Sequence, residues 1–163
     1  FGTGSHPSTR FCLEEIEENL KPGDSMLDLG CGSGILSVTA LLLGASSAVA
    51  VDIDSNATDV AHSNLKLNKL TDENYKTYTG DITSDKELRD KLGTHNLVVA
   101  NIVADVIIAI APYVRGFMNS GATFICSGII LERLDEVKAA LTKNGLNITK
   151  VKCDDDWAAI TAK

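Results

Sequence analysis

A short apolar stretch, residues 26–29, runs directly into Gly30-Cys31-Gly32-Ser33-Gly34 and then into the apolar run 35–43. A second apolar stretch, 48–51, stops at the carboxylate of Asp52. Glycines at a strand-to-helix turn accept positive φ and let backbone amides approach a ligand, while an acidic side chain ending the next strand can take both hydroxyls of a ribose. These residue types in this order describe a site for an adenosine-bearing cofactor. The dinucleotide pattern G-x-G-x-x-G would put its third glycine at position 35, where this chain has Ile35 and reads G-x-G-x-G instead. The loop therefore looks less like a pyrophosphate cradle than like a loop for S-adenosylmethionine.

The elements that must position these residues alternate along the chain. Residues 9–20 place Leu13, Ile16 and Leu20 on one helical face and Glu14, Glu15, Glu17 and Glu18 largely on the other, and Lys21-Pro22-Gly23-Asp24 stops the helix. The first strand, the glycine loop and its helix follow, with Gly44 as the expected C-cap. Ser55 is then expected to cap a helix carrying Ala57, Val60, Ala61 and Leu65. A third strand spans 75–79, a short charged helix 85–92, and a buried fourth strand 96–100 ends at Asn101. A helix from about Ala104 meets Pro112. A fifth strand covers 122–126 and is followed by Ser127-Gly128, which reads as a turn. The amphipathic helix 131–143 stops at Gly145, and strands 147–152 and 157–161 are close enough to form an antiparallel hairpin. The fold class is α/β, Rossmann-like, with a seven-stranded, mostly parallel sheet and one antiparallel strand near its edge.

In an open α/β sheet the ligand sits outside the carboxyl ends of the strands, at the switch point. Gly30 to Gly34 end the first strand, Asp52 the second, Asp81 the third and Asn101 the fourth, so consecutive strands deliver polar or glycine residues to one rim. A turn-capping role for Asp81 stays open beside a binding one.

Length and composition agree with one catalytic domain, 1–163. A domain of ~150 residues hides about two-thirds of its unfolded surface. There is no run of about 18 apolar residues and no basic-apolar leader, so neither a membrane span nor a signal peptide is expected. An opening on Phe1 rather than Met suggests a segment of a longer chain. Cys12, Cys31, Cys126 and Cys153 form no C-x-x-C pair, which points to reduced thiols in a cytoplasmic setting and to no metal site. The formal charge of −7 argues against a nucleic-acid-coating surface and suits a cationic cofactor or a basic protein partner.

The glycine loop and its strand-end aspartates resemble the class I S-adenosylmethionine-dependent methyltransferases. Three segments narrow the likeness: Phe1-Gly-Thr-Gly-Ser-His-Pro-Ser-Thr9; Val51-Asp-Ile-Asp54 with Asn64 and Asn68 downstream; and Ala100-Asn-Ile-Val103 with the later Ser127-Gly-Ile129. Together they are similar to the catalytic domain of the bacterial ribosomal protein L-eleven methyltransferases, the PrmA family, along essentially the whole chain. Ser8 stands where that family commonly shows Thr, and keeps the hydroxyl.

The resemblance implies that Thr9, Gly30, Asp52 and Asn101 contact S-adenosylmethionine. Alongside them, Gly32 and Gly34 would bring loop amides to the cofactor, Asp28 would pair with its ammonium group through water or else fix the loop's own amides, and Asp81 would suit the adenine amino group. The opening loop would fold over the cofactor as a lid, and His6 in it reads either as a neighbour of substrate or cofactor or as a turn residue before Pro7. Asn101 would orient the attacking amine as the catalytic residue. The resemblance further implies lysine side-chain and N-terminal amines of a ribosomal protein as acceptors, and a substrate-recognition domain ahead of the catalytic one.

Other readings compete. A short-chain NAD oxidoreductase wants Tyr-x-x-x-Lys, yet four residues after Tyr75, Tyr78 and Tyr113 stand Thr79, Ile82 and Phe117. Methylation of a glutamine amide or nucleobase favours Asn-Pro-Pro-Tyr, where this chain has Asn101-Ile102-Val103-Ala104. A small-molecule methyltransferase is the runner-up, and a non-enzymatic binding module on the same fold is the third.

Overall fold

Strands that are apolar on both faces can be satisfied only between two layers of helices, and the centre of this molecule is built that way. The computed structural model describes residues 4–163, so the Phe1-Gly2-Thr3 start of the opening motif lies outside the described residues. The elements are α1 (Pro7–Asn19), β1 (Ser25–Leu29), α2 (Ile35–Leu42), β2 (Ser47–Asp52), α3 (Ser55–Leu67), β3 (Tyr75–Thr79) and α4 (Lys86–Leu92). They continue with β4 (His95–Asn101), α5 (Ala104–Val114), β5 (Met118–Ile130), α6 (Leu134–Lys143), β6 (Ile148–Asp154) and β7 (Trp157–Ala162).

The seven strands form one sheet in the order β3-β2-β1-β4-β5-β7-β6. Strands β1 to β5 are parallel, and β7 runs antiparallel to both β5 and β6. The one reversed strand thus lies next to the edge, as the short hairpin connection predicts. The chain steps outward from β1 to β2 and β3, then returns to place β4 on the other side of β1. That reversal opens a crevice above the carboxyl ends of β1 and β4.

Alternating side chains sort the core into two layers. Leu27, Leu29, Val98 and Phe124 pack against Leu88 of α4, Ile107 of α5 and Val137 of α6. Met26, Leu97, Val99 and Ile125 face Cys12 and Ile16 of α1 and Leu36 of α2, while Ala48, Ala50 and Tyr75 face Ala61 and Leu65 of α3.

Local chemistry sets the ends of the elements, in places differently from the sequence expectation. Pro7 opens α1 behind an N-cap at His6, whose ring nitrogen accepts from the Ser8 amide at 3.2 Å. Asp54, not Ser55, caps α3: its carboxylate accepts from the Asn56 amide at 2.9 Å and is the better-placed acceptor. Val60 faces outward from that helix at 48% exposure. Helix α5 passes through Pro112, which forfeits only the bond from its own nitrogen, and ends at Val114. Glycines 44 and 145 follow their helices one place beyond the C-caps Leu43 and Asn144, both at positive φ.

The largest difference is β5, which runs far beyond 122–126 in both directions. Ser127 is not in a turn: it pairs with Asn101 inside the sheet, and the β5–β7 register shifts between Ser127 and Ile129. Gly128 makes this bulge possible, since it sits at φ +91° and a Cβ there would fall 2.5 Å from the Ile102 carbonyl oxygen. Glu15 departs from the expected solvent face as well. It is 1% exposed and accepts from Thr161 Oγ1 at 2.9 Å while pairing with Lys150 and Lys152 at 3.0 and 2.8 Å. Burial alone would push its carboxyl up; the two lysines and Thr161 outweigh that and hold it below the ordinary range.

Candidate functional site

The glycine loop is held from below by its neighbours rather than left to float. Gly30 and Cys31 donate their amides to the Val51 carbonyl at 2.8 and 3.0 Å, and Gly34 donates to Cys31 O at 2.8 Å. The Gly32 amide goes to Asp52 Oδ2 at 2.9 Å, and the Asp54 amide to Asp52 Oδ1 at 3.0 Å. All three glycine amides thus have protein partners, those of Gly30 and Gly32 on β2 and that of Gly34 within the loop. What the glycines supply is space and backbone conformation. Gly30, at φ +73°, has Ile102 Cγ2 2.6 Å from where its Cβ would be, and Gly34, at φ +78°, has Ala61 Cβ at 2.8 Å. Asp52, fixed through both oxygens by backbone on either side, keeps a second lone pair on each oxygen for a ligand.

A cavity of about 430 Å³ opens where β1, β2 and β3 end against α5. Gly30, Asp52, Asp81, Ile82, Ile102 and Val106 are among its walls. A smaller hollow of about 190 Å³ adjoins it through Gly30 and is walled by Gly32, Ser33 and Asn101. Gly30, Gly32, Asp52, Asp81 and Asn101 are therefore gathered around two hollows at the carboxyl edge of the sheet that share Gly30 as a wall.

Asp81 serves its turn and lines the cavity at once. Its Oδ1 accepts from the Thr83 amide at 2.8 Å and from Thr83 Oγ1 at 2.6 Å, which holds its carboxyl below the ordinary range. Its Oδ2 takes no hydrogen bond among the described residues.

Thr9 and Asn101, far apart in sequence, meet between α1 and β4, where Asn101 Nδ2 donates to Thr9 Oγ1 at 3.0 Å. Thr9 is fully buried, and Asn101 Oδ1 is a buried acceptor with no partner among the described residues. Asp28 lies deeper, 1% exposed, and neither of its oxygens has a hydrogen-bond partner. The alternative in which Asp28 fixes the loop's amides is therefore not what the structure shows. Burial pushes its carboxyl up to about 7, the neighbouring Ser37 offsetting part of the rise and the Asp52 charge adding to it.

Several residues shape the recess although the sequence reading gave them no binding role; Asn64 and Ile102 stood only within the family-like segments. Asn64 Nδ2 donates to Ser33 O at 2.7 Å and ties α3 to the loop. The Ser37 hydroxyl meets Gly34 O at 3.1 Å and Tyr75 Oη at 2.9 Å. Ile102 packs against both Gly30 and Gly128. Thr83 was findable from local pattern, since a hydroxyl residue two places after an aspartate is the pattern of an Asx turn.

A buried carboxylate without a partner, an orphaned amide oxygen and a paired strand-end aspartate beside an apolar hollow fit a ligand that carries a cation, a ribose and a flat base. S-adenosylmethionine has all three. The His6 ring stands edge-on to Trp157 with centroids 4.7 Å apart, which ties the opening segment to the far hairpin. Among the described residues no cluster of three His, Cys, Asp or Glu is arranged to hold a metal ion.

Residues 1–163 match the family described as "Ribosomal protein L11 methyltransferase (PrmA)" over their whole length. The chain belongs to this family. It is 40% identical over 178 residues to the ribosomal protein L11 methyltransferase of Lachnoclostridium phytofermentans, with all of this chain and 54% of that protein covered. The Bacillus subtilis protein of the same name is 39% identical over 163 residues, covering all of this chain and 50% of the relative. The chain thus spans about half the length of the curated relatives it matches. Among solved structures, the ribosomal protein L11 methylase of Lactobacillus delbrueckii subsp. bulgaricus superimposes with a TM-score of 0.89 at 28% identity, over 98% of this chain and 80% of that one. Aeropyrum pernix fibrillarin, solved with natively bound S-adenosyl-L-methionine, shares the fold at a TM-score of 0.76 and 16% identity, over 94% of this chain and 74% of that one. The Rossmann-like methyltransferase fold expected for a PrmA-family domain is the fold observed.

Proposed function

We propose that this PrmA-family chain binds S-adenosylmethionine and catalyses methyl transfer to amines of ribosomal protein L11, namely lysine side chains and the N-terminal amine. The observation that carries this reading is the recess at the carboxyl ends of β1 to β4, where Asp52 is locked by the Gly32 and Asp54 amides beside the apolar cavity. The names of the relatives supply the acceptor. The absence of any helix among the described residues long and apolar enough to cross a membrane is compatible with action in the cytoplasm.

S-adenosylmethionine, when bound, supplies a sulfonium methyl group already activated toward attack by an amine, so the protein's part is alignment and exclusion of water. Asp52 takes the ribose hydroxyls on its outward lone pairs, and Asp81 Oδ2 accepts from the adenine amino group. Asp28 answers the ammonium group from beneath the loop. Thr9 holds Asn101 through its amide nitrogen, which leaves Asn101 Oδ1 to accept a hydrogen bond from the acceptor amine and aim its lone pair. No dedicated base is assigned; a lysine amine enters neutral because the apolar walls disfavour its charged form. Recognition of the acceptor protein we assign to the part of the relatives that this chain does not span.

Isothermal titration with S-adenosylmethionine, beside an Asp52→Ala variant and with NAD as control, tests the cofactor reading. Saturable binding that the variant loses and NAD does not reproduce supports it. A folded chain that binds nothing overturns it. Transfer of labelled methyl to ribosomal protein L11 then tests the acceptor, and a rate matching that of a full-length relative overturns the assignment of recognition to the remaining region.

A further inference from the structure

The loop between β3 and α4 brings Gly80, Asp81, Ile82 and Thr83 to the cavity wall. Two side chains that do not line the cavity hold this loop from behind. Arg89, on α4, donates from Nη1 to the Ile82 carbonyl at 2.6 Å. Its guanidinium lies over the ring of Tyr113, 4.3 Å from the centroid, and Tyr113 Oη in turn donates to the Thr83 carbonyl at 3.3 Å. The arginine's charge thus goes to a carbonyl and an aromatic face rather than to a carboxylate. Helices α4 and α5 are thereby joined across the loop, and the carbonyls on either side of the Thr83 Cα, those of Ile82 and of Thr83 itself, are both anchored.

The anchored segment is the one that sets Asp81. Thr83 holds Asp81 Oδ1 through its amide and hydroxyl, so the position of Thr83 fixes the rotation of the carboxylate and the place of Oδ2. A carboxylate oxygen accepts from an exocyclic amino group and repels an exocyclic oxygen at the same position. We infer that Arg89 and Tyr113 are positioning residues that, by clamping Ile82 and Thr83, let Asp81 select a six-amino purine over a six-oxo purine at the base end of the cofactor site. This inference rests on the cofactor reading above and extends it to which base the site accepts.

The test is a titration of S-adenosylhomocysteine and its inosine counterpart, S-inosylhomocysteine, into the unaltered chain and into Arg89→Met, Arg89→Lys and Tyr113→Phe, with unfolding midpoints measured alongside. The unaltered chain should prefer the adenosyl ligand. Losing a hydrogen bond from a charged donor should weaken adenosyl binding in R89M by about tenfold and narrow the adenosyl-to-inosyl preference, because a loosened Asp81 neither attracts one base nor repels the other. R89K, which keeps a donor and a charge, should recover part of the preference. Y113F removes one hydroxyl and should narrow it less. A general loss of structure lowers affinity for both ligands alike and leaves their ratio unchanged, so an unchanged ratio in folded R89M and Y113F overturns the inference. If R89M does not fold, Y113F alone decides. Failure of the unaltered chain to bind either ligand overturns the cofactor reading and the inference together, and is separate from binding without discrimination, which overturns the inference alone.

Discussion

Asp28 stands under the glycine loop as a carboxylate that folding has stripped of water without giving it a partner. Its pKa rises from an ordinary 3.8 to about 7, so the folded state binds its proton more tightly than the unfolded chain does. Its contribution to stability is therefore fully present below about pH 4 and is lost as pH rises through about 7, by on the order of 4 kcal/mol. Ser37 offsets part of the rise, while the other neighbours add no countercharge: burial raises the thiol of Cys31 and the phenol of Tyr75, and it raises Cys12 as well, so all three stay neutral. An Asp28→Asn variant should gain on the unaltered chain in urea midpoint as pH goes from 5 to 8. If Asp28 answers a cofactor ammonium, the same variant should bind S-adenosylmethionine about tenfold more weakly at pH 8, since a charge-assisted bond is lost. Stability and affinity moving in opposite directions would mark a functional carboxylate; a variant that gains stability and binds unchanged would sink that role. That Asp52 and Asn101 end their strands was legible in the sequence, because there an apolar run stops at a polar residue; Asp28 lies within β1 ahead of Leu29, and Asp81 follows Gly80 just past β3. The pairings Thr9–Asn101 and Asn64–Ser33 were not legible, because they join residues far apart in the chain, which a local pattern does not pair.

The loop joining β1 to α2 contains glycines whose reasons for being glycine differ. At Gly34 a Cβ would lie 2.8 Å from Ala61 Cβ and 3.0 Å from Ala61 Cα, so a side chain there must push α3 away from α2. Gly32 has the same need for positive φ, at +50°, but nothing within 4 Å. Gly34→Ala should therefore cost about 2–4 kcal/mol, through overpacking added to strain, and Gly32→Ala only about 1 kcal/mol from the left-handed backbone. Denaturant midpoints of the two variants check this ordering, and equal losses would show that conformation rather than packing governs the loop. The same distinction explains where sequence patterns sufficed for the elements. Residues 75–79 and the alternating helices were legible, since their apolar periods match what the two core layers need. Strand β5 was not: Ser127-Gly128 looks like a turn, yet it is absorbed as an irregularity between paired neighbours. Glu15 was misplaced for a related reason. Its periodicity points to solvent, and only the arrival of β6 and β7, carrying Lys150, Lys152 and Thr161, turns that side of α1 into an interior.

The recess draws on the ends of β1, β2, β3 and β4 and on α1, so a ligand in it would bridge segments spread over most of the chain. Binding that favours only the folded state stabilises it by mass action, by about 2.7 kcal/mol at a hundred times the dissociation constant. For a chain of this length that corresponds to a rise in unfolding temperature of roughly 5–10 °C. S-adenosylhomocysteine should produce this rise in the unaltered chain and not in Asp52→Ala, and NAD should produce it in neither. Trp157 makes the measurement sharper, because it is the only tryptophan and begins β7, which the sheet order separates from β1 by β4 and β5. Its fluorescence reports the hairpin half of the sheet, whereas far-ultraviolet circular dichroism reports all helices and strands. The hairpin is coupled to the cofactor side by the Glu15 ion pairs and by the edge-on packing of Trp157 against His6, which caps the helix that carries Thr9. Ligand should accordingly shift both transitions by the same number of degrees. A Trp157 transition that stays put while the dichroism transition moves would mean that the β6–β7 hairpin unfolds independently of the cofactor-binding half, and that the ion pairs of Glu15 do not couple them.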